Sequence, residues 1–306
     1  MKQEAFAQVL KAVEGGGASS ILFQAEGKEY LRKWRPRERL IILGGGHIAL
    51  PLCTIGSLLG FSVVVADDRP SFANRIRFPQ ADQVCCGEFC QMINNLQVKR
   101  EDYVCILTRG HRYDGQCLRS LLNGTMPAYL GMIGSRRRTE VMKKELWAEG
   151  YDQERIQQLC APIGLPIGAR TTGEIAVAIG AQLVEYREKI RKAQSEEGCL
   201  IQTDTDLKLL AALAEGGGLL AAALVIETRG SSPVKTGALM AVDQLGICAG
   251  TVGGGCGEAQ VTAEARKAAG KPVQKIIEIS MTGEEAEEEG MVCGGTMKVL
   301  IEGVLP

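Results

Sequence analysis

Two histidines, His47 and His111, stand in a chain of 306 residues, and no two of its 11 cysteines form Cys-x-x-Cys. The paired Cys/His spacing of a structural zinc site is therefore missing. Neither sign of charge dominates: 35 Lys and Arg against 36 Asp and Glu leave a net charge of −1. That balance excludes a global attraction to nucleic acid or to anionic lipid. The longest clean apolar run, 219–226, has eight residues, whereas a bilayer span needs about 20. The start, Met1-Lys2-Gln3-Glu4-Ala5-Phe6, has an early acid and no apolar stretch, so no secretory signal is expected. An odd cysteine total without such a signal reads as reduced thiols rather than a disulfide framework. A soluble, cytoplasmic protein with no membrane or nucleic-acid partner is expected.

At about 150 residues per domain the length corresponds to two domains, each able to bury a core. Apolar residues at 45% and charged ones at 23% are ordinary globular usage. Glycine is not ordinary: 38 residues, about 12% against the usual ~7%. It clusters at 44–46, 216–218, 253–255 and 294–295, marking loops where backbone passes close to something.

Residues 1–38 read as a lead-in packing element: a helix over 4–13, then a hairpin over 21–31 around Glu26-Gly27. From 39 to 190, buried strands alternate with helices, the pattern of a parallel α/β sheet. Strands are predicted at 40–43, 62–66, 103–107 and 128–133, and helices at 47–59 and 172–191. Thr171 or Thr172 would cap the second of these helices, with Glu174 in its first turn. The polar stretch 191–206 is the linker candidate. Residues 207–306 form a smaller α/β unit, with helices over 206–214 and after Gly255. Its strands are predicted near 219–228, 238–242, 246–249, 273–280 and 296–302. The acid run 284–289 reads as a solvated face.

Gly44-Gly45-Gly46-His47-Ile48-Ala49 fits G-x-G-x-x-A between a strand and a helix. The first glycine allows the tight turn, Gly46 lets backbone approach a pyrophosphate, and Ala49 permits close helix–strand packing. The helix N-terminus offers its amides to the anion. Asp67 and Asp68 fall 23 and 24 residues past Gly44, where an acid would bind ribose hydroxyls. Arg69 beside them suits a 2′-phosphate, so NAD and NADP both stay open, as does another nucleotide. His47 and His111 both fall at the carboxyl edge of the sheet, where open α/β sheets bind ligands. Gly134-Ser135-Arg136, continued by two more arginines at a helix start, is a candidate anion site.

The second unit carries Thr228-Arg229-Gly230-Ser231-Ser232-Pro233 at a strand end. It also carries Gly253-Gly254-Gly255-Cys256 before a helix and Cys293-Gly294-Gly295 near the chain's end. A thiol at a helix N-terminus has its thiolate stabilised, so Cys256 is a candidate reactive or ligating residue. Cys293 on its Gly-Gly turn is another. The competing reading of each is a small residue buried in a tight turn.

These residues together resemble the XdhC/CoxI family, accessory proteins that mature xanthine dehydrogenase and related molybdenum hydroxylases. One block of the likeness is Gly44–Ala49, Asp67-Asp68-Arg69-Pro70, Arg77-Phe78-Pro79, Gly131-Met132-Ile133-Gly134-Ser135-Arg136-Arg137 and Gly164-Leu165-Pro166-Ile167-Gly168. The other is Thr228–Pro233, Gly253–Cys256 with Glu258, and Cys293-Gly294-Gly295. The family ordinarily has these two domains in the opposite order.

The resemblance implies a chaperone that binds the molybdenum cofactor (molybdopterin), shields it during sulfuration by a cysteine desulfurase, and delivers it to the apo-hydroxylase. It implies cofactor contacts at Arg229, Ser231, Ser232, Gly254, Gly255, Cys256 and Cys293, with both thiols near molybdenum. A homodimer is the default expectation for such folds. Two other readings stand beside it. An NAD(P)-dependent oxidoreductase would use a histidine as proton donor, but leaves 207–306 without a role. A nucleotide-sensing regulatory protein would close on a partner without turnover.

Overall fold

A computed structural model of the chain describes residues 3–193, 199–201, 207–215, 220–230, 232, 234–280 and 295–305. The chain divides into two compact units, Arg37–Gln194 and a discontinuous one made of Met1–Pro36 with Ser195–Pro306. The N-terminal segment thus belongs with the C-terminal unit, and the parallel-sheet unit is inserted between its two parts.

The chain begins with α1 (Gln3–Glu14), β1 (Ser19–Ala25) and β2 (Lys28–Trp34). The two strands pair antiparallel, with Ala25 opposite Lys28. Glu26 and Gly27 between them both have positive φ, 51° and 75°, the backbone a two-residue hairpin turn requires.

The inserted unit runs β3 (Arg39–Leu43), α2 (Ala49–Leu58), β4 (Ser62–Asp67), β5 (Gln83–Cys86) and α3 (Phe89–Leu96). It continues with β6 (Tyr103–Ile106), α4 (His111–Asn123), β7 (Tyr129–Met132), α5 (Arg136–Ala148), α6 (Gln153–Gln157) and α7 (Thr172–Ala193). Its five strands are all parallel in the order β5-β4-β3-β6-β7. Both faces are covered, so the strands read as continuous apolar runs rather than alternating ones. Ile41, Leu43, Val64, Val104 and Ile106 face the core shared with α3, α4 and α5. Leu40, Ile42, Val63, Val65 and Tyr103 face the core shared with α2 and α7. Successive β-strand side chains point to opposite faces, which gives one sheet two cores. Helix α7 starts on a reciprocal cap: Glu174 N donates to Thr171 Oγ1 (3.2 Å) and Thr171 N to the Glu174 carboxylate (2.9 Å).

The discontinuous unit continues with β8 (Cys199–Ile201), α8 (Leu207–Glu215), β9 (Leu220–Arg229), β10 (Leu239–Val242) and β11 (Ile247–Gly250). Helix α9 (Gly255–Ala268) and strands β12 (Gln274–Ser280) and β13 (Thr296–Val304) complete it. Five strands form an antiparallel sheet in the order β11-β10-β9-β13-β12. Strand β9 is buried on both faces. Its Ala221, Ala223 and Val225 pack with α9, while Leu220, Ala222, Leu224 and Ile226 join α1, α8 and β1. Strand β8, in the stretch expected to be a linker, instead pairs parallel with β2. The acid run 284–289 lies outside the described residues.

Candidate functional site

In the inserted unit the loops leaving β3, β4, β6 and β7 all lie at the carboxyl edge of the parallel sheet. The chain moves outward one way from β3 to β4 and β5, then resumes on the other side of β3 with β6. The crevice between the β3 and β6 loops is therefore the switch point at which such sheets bind ligands.

The glycine loop sits in that crevice, and its three glycines differ. Gly44 has φ +111°, and a Cβ there would stand 2.4 Å from the Leu107 carbonyl oxygen. A Cβ on Gly45 would stand 2.2 Å from the Phe72 carbonyl oxygen. Both glycines are required by the chain's own packing. Gly46 is not: nothing lies within 4 Å of a Cβ there. The open side of the third glycine is where a ligand backbone or phosphate would pass.

Helix α2 starts at Ala49, which is fully buried against the sheet, so His47 lies in the turn before it and is exposed. The expected helix over 47–59 includes His47, whereas the helix begins two residues later. Asp67, 1% exposed, turns its carboxylate back onto the loops. Its Oδ2 accepts from Gly45 N at 2.8 Å, and its Oδ1 accepts from Arg69 N at 3.0 Å and Arg69 Nε at 2.8 Å. Burial works to raise this carboxyl's pKa, but the Arg69 and Gly45 hydrogen bonds together with the Arg69 charge outweigh it and hold it below its ordinary value. Arg69 also stacks on Phe72 at 3.7 Å. Asp68 is held by Arg109 in a two-pronged pair, 2.5 and 2.9 Å, and Arg109 continues to the Tyr113 hydroxyl at 2.6 Å. Both acids expected at the ribose are thus paired with arginines.

Ser135 caps α5 by accepting from Arg138 N at 3.3 Å, and Gly134 precedes it. Arg136 is exposed, while Arg138 pairs with buried Asp114. Asp114 also accepts from the Thr108 hydroxyl at 2.5 Å, which ties the β6 loop to the start of α5. Burial pushes the Asp114 carboxyl up, against the lowering effect of Thr108 and Arg138. His111 opens α4, exposed, with Nε2 4.0 Å from Glu145 Oε2.

The discontinuous unit places its candidates on two connections. Arg229, exposed at the end of β9, pairs with Glu227 at 2.6 Å. Ser232, in the β9–β10 connection, has a buried hydroxyl with no hydrogen-bond partner. Ser231 and Cys293 lie outside the described residues. Gly254 caps α9, which begins at Gly255 and presents Cys256 exposed in its first turn. Glu258 governs this loop. One carboxylate oxygen accepts from Thr251 Oγ1 (2.5 Å), Val252 N (2.9 Å) and Gly254 N (3.1 Å). Burial would raise that carboxyl, and the Thr251 and amide hydrogen bonds reverse it, so its pKa is lowered. Among the described residues, no cluster of three or more His, Cys, Asp or Glu could hold a metal ion.

Spacing in the sequence does not single out Arg77 or Arg32 as site residues, nor does it give the pairing of Arg109 with Asp68 or of Arg138 with Asp114. Arg77 Nε donates to the Gly45 carbonyl at 3.1 Å. Arg32 shares the inward face of β2 with Trp34, a parity that alternation along the strand makes readable.

A parallel sheet with a glycine turn at its switch point defines a Rossmann-type protein, here joined to a second α/β unit with a glycine–cysteine loop. The model of the XdhC Rossmann domain matches residues 40–183, and that of the XdhC and CoxI family matches residues 213–279. The chain belongs to the XdhC and CoxI family, with the Rossmann block first along the sequence. A Bacillus subtilis (strain 168) protein described as a probable xanthine dehydrogenase subunit is 30% identical over 53% of this chain and 46% of its own length. An uncharacterized protein, YqeB, of Escherichia coli (strain K12) is 30% identical over 56% of this chain and 30% of its own. The match thus spans less than half the length of either relative. A crystal structure of a xanthine dehydrogenase from Bacillus halodurans is 31% identical, with a TM-score of 0.50, over 57% of this chain and 50% of that one. Among the described residues no helix is long and apolar enough to cross a membrane.

Proposed function

We propose that this protein is an accessory factor for a molybdenum hydroxylase of the xanthine dehydrogenase type, which binds the molybdenum cofactor and passes it to the apo-enzyme. The observation that carries the reading is the presence, in one chain, of a cradle opened at Gly46 and a helix start that presents Cys256. The names of the relatives support the same assignment.

The residues fit an anionic, phosphate-bearing ligand. Space opens beside Gly46 where the packing of the chain does not demand a glycine, and the buried Ser232 hydroxyl is unpaired. The cradle would hold a nucleotide, and Cys256 would lie near molybdenum, with Cys293 as its expected companion. When bound, the cofactor supplies the molybdenum centre and its exchangeable terminal ligand. The chain's residues bind and orient it and keep solvent away. A cysteine desulfurase and the apo-hydroxylase are the partners in this reading, and the working form is a homodimer. A nicotinamide oxidoreductase is less well supported, because Asp67 is committed to Gly45 and Arg69 instead of being open to a ribose.

The test is mass spectrometry of small molecules released from the purified protein after parallel loading with molybdenum cofactor and with NAD(P). Retention of the pterin, lost in Cys256→Ser, is the expected result. Retention of NAD(P) alone moves the assignment to the oxidoreductase, and retention of neither removes both ligands.

A further inference from the structure

Arg32 is the one fully buried arginine of the described chain, at 0% exposure. Its Nε donates to the Gly237 carbonyl at 2.8 Å, and its guanidinium lies 4.1 Å over the Trp34 ring. Nη1 and Nη2 are both buried without a hydrogen-bond partner. On β2 it stands opposite Ile21 of β1 and Leu200 of β8, which with Trp34 belong to the apolar core of the discontinuous unit.

An unpaired cation in such a place is costly, and native proteins pair buried charges or bind counter-ions to them. Burial alone drags this guanidinium down to about 9. The ring beneath and the carbonyl at Nε fix the plane of the fork and leave its two neighbouring terminal nitrogens, Nη1 and Nη2, without an acceptor. That arrangement suits a two-pronged oxyanion contact. The carbonyl that anchors it belongs to the β9–β10 connection, which also holds Ser232. The Ser232 hydroxyl of that connection is likewise buried without a partner.

We propose that Arg32 is an anion receptor that takes a phosphate group of a small ligand through Nη1 and Nη2 beside the Gly237 carbonyl. This deepens the reading above, and rests on it only for the identity of the molecule that carries the phosphate.

The chain has two tryptophans, Trp34 and Trp147, and Trp147 is 62% exposed on α5. In the full-length W147F protein, fluorescence therefore reports from the ring under Arg32. Inorganic phosphate, AMP and acetate are titrated separately into phosphate-free protein, with W147F/R32M and W147F/R32K as comparisons. The expected result is a saturable Trp34 response to phosphate and a rise in Tm, each weakened at least tenfold in R32M and partly retained in R32K. R32M without phosphate should be at least as heat-stable as its parent, because it loses an unpaired buried charge.

A comparable response to AMP identifies a nucleotide as able to carry the phosphate; its absence, with phosphate still bound, favours the pterin cofactor. The proposal is overturned by the absence of any response to phosphate, by a response to acetate alone, or by equal phosphate affinity in R32M. Should R32M fail to fold, full phosphate affinity in R32K overturns the two-pronged contact. None of these arms uses molybdenum cofactor, so a failure of cofactor retention and a failure here are separate results.

Discussion

Asp67 holds Gly45. The Oδ2–amide distance of 2.8 Å joins the end of β4 to the turn after β3, and the same carboxylate clamps Arg69. An acid in the place where many Rossmann domains meet a ribose here shapes the loop that would meet a phosphate. Replacing it with asparagine keeps the volume and removes the charge, so Asp67→Asn should lower stability at pH 7 by about 2 kcal/mol. The pH dependence has a definite sign. The folded carboxyl titrates below its ordinary value near 3.9, so its contribution is complete at neutral pH. It is lost only as pH falls below about 4 toward the lowered value. Urea melts of parent and variant from pH 3 to 8 should show a constant gap that narrows at the acid end; a gap widening there would contradict the clamp.

Asp114 should behave in the opposite way. It is buried, its pKa is raised, and it joins Thr108 to Arg138. A carboxyl that binds its proton more tightly when folded favours the folded state most at low pH. The advantage fades as pH rises from about 4 through the raised value. Relative to Asp114→Asn, the parent should therefore be most stable near pH 4 and lose ground toward neutrality. Asp114→Ala, which removes the buried acceptor of Arg138 and leaves the Thr108 hydroxyl only the Gly110 carbonyl at 3.2 Å, should be less stable than parent by about 2–3 kcal/mol near pH 4, with the gap shrinking as pH rises.

The three glycines of the loop separate folding from binding. Gly44→Ala and Gly45→Ala place a methyl against backbone oxygens of Leu107 and Phe72 that cannot withdraw. Each should cost about 3 kcal/mol or more. Gly46→Ala meets open space and should change stability by no more than about 0.5 kcal/mol. It should nevertheless weaken ligand retention at least tenfold. Thermal melts beside retention assays decide this, and a stable Gly46→Ala protein with full retention would show that the ligand does not pass there.

Most of this architecture was legible in the sequence because both-face burial writes itself as Val, Ile and Leu runs. The strands at 40–43, 62–66, 103–107 and 128–133 appear within two residues of their expected bounds. Strand β5, Gln-Val-Cys-Cys at the sheet edge, carries no such run and was missed. So was β8, three residues that gain their register only from β2, far away in sequence. The glycine turn and its neighbours were readable because sheet topology brings every strand-end loop to one edge. The arginine partners of Asp67, Asp68 and Asp114 were not, since which cation reaches which acid depends on side-chain paths that spacing does not encode. Nor could the sequence reveal that residues 1–36 share a core with α8 and β9, a union of segments more than 150 residues apart.

Glu258 supplies the last prediction. Its carboxylate draws in Thr251 and the Val252 and Gly254 amides, donors that a helix start would otherwise offer to an anion. The same carboxylate places a negative charge two residues from Cys256, in the first turn of α9. A thiolate is stabilised by helix-terminal amides and opposed by a nearby anion. Glu258→Gln removes the charge and weakens the claim on the amides, so Cys256 should alkylate about threefold faster at pH 7. Iodoacetamide labelling followed by peptide mapping separates Cys256 from Cys86, which is also exposed. Cys86 lies in the other unit and should label at an unchanged rate. Equal acceleration at both cysteines would mean general loosening of the fold, whereas an unchanged rate at Cys256 would show that Glu258 shapes the loop without tuning the thiol.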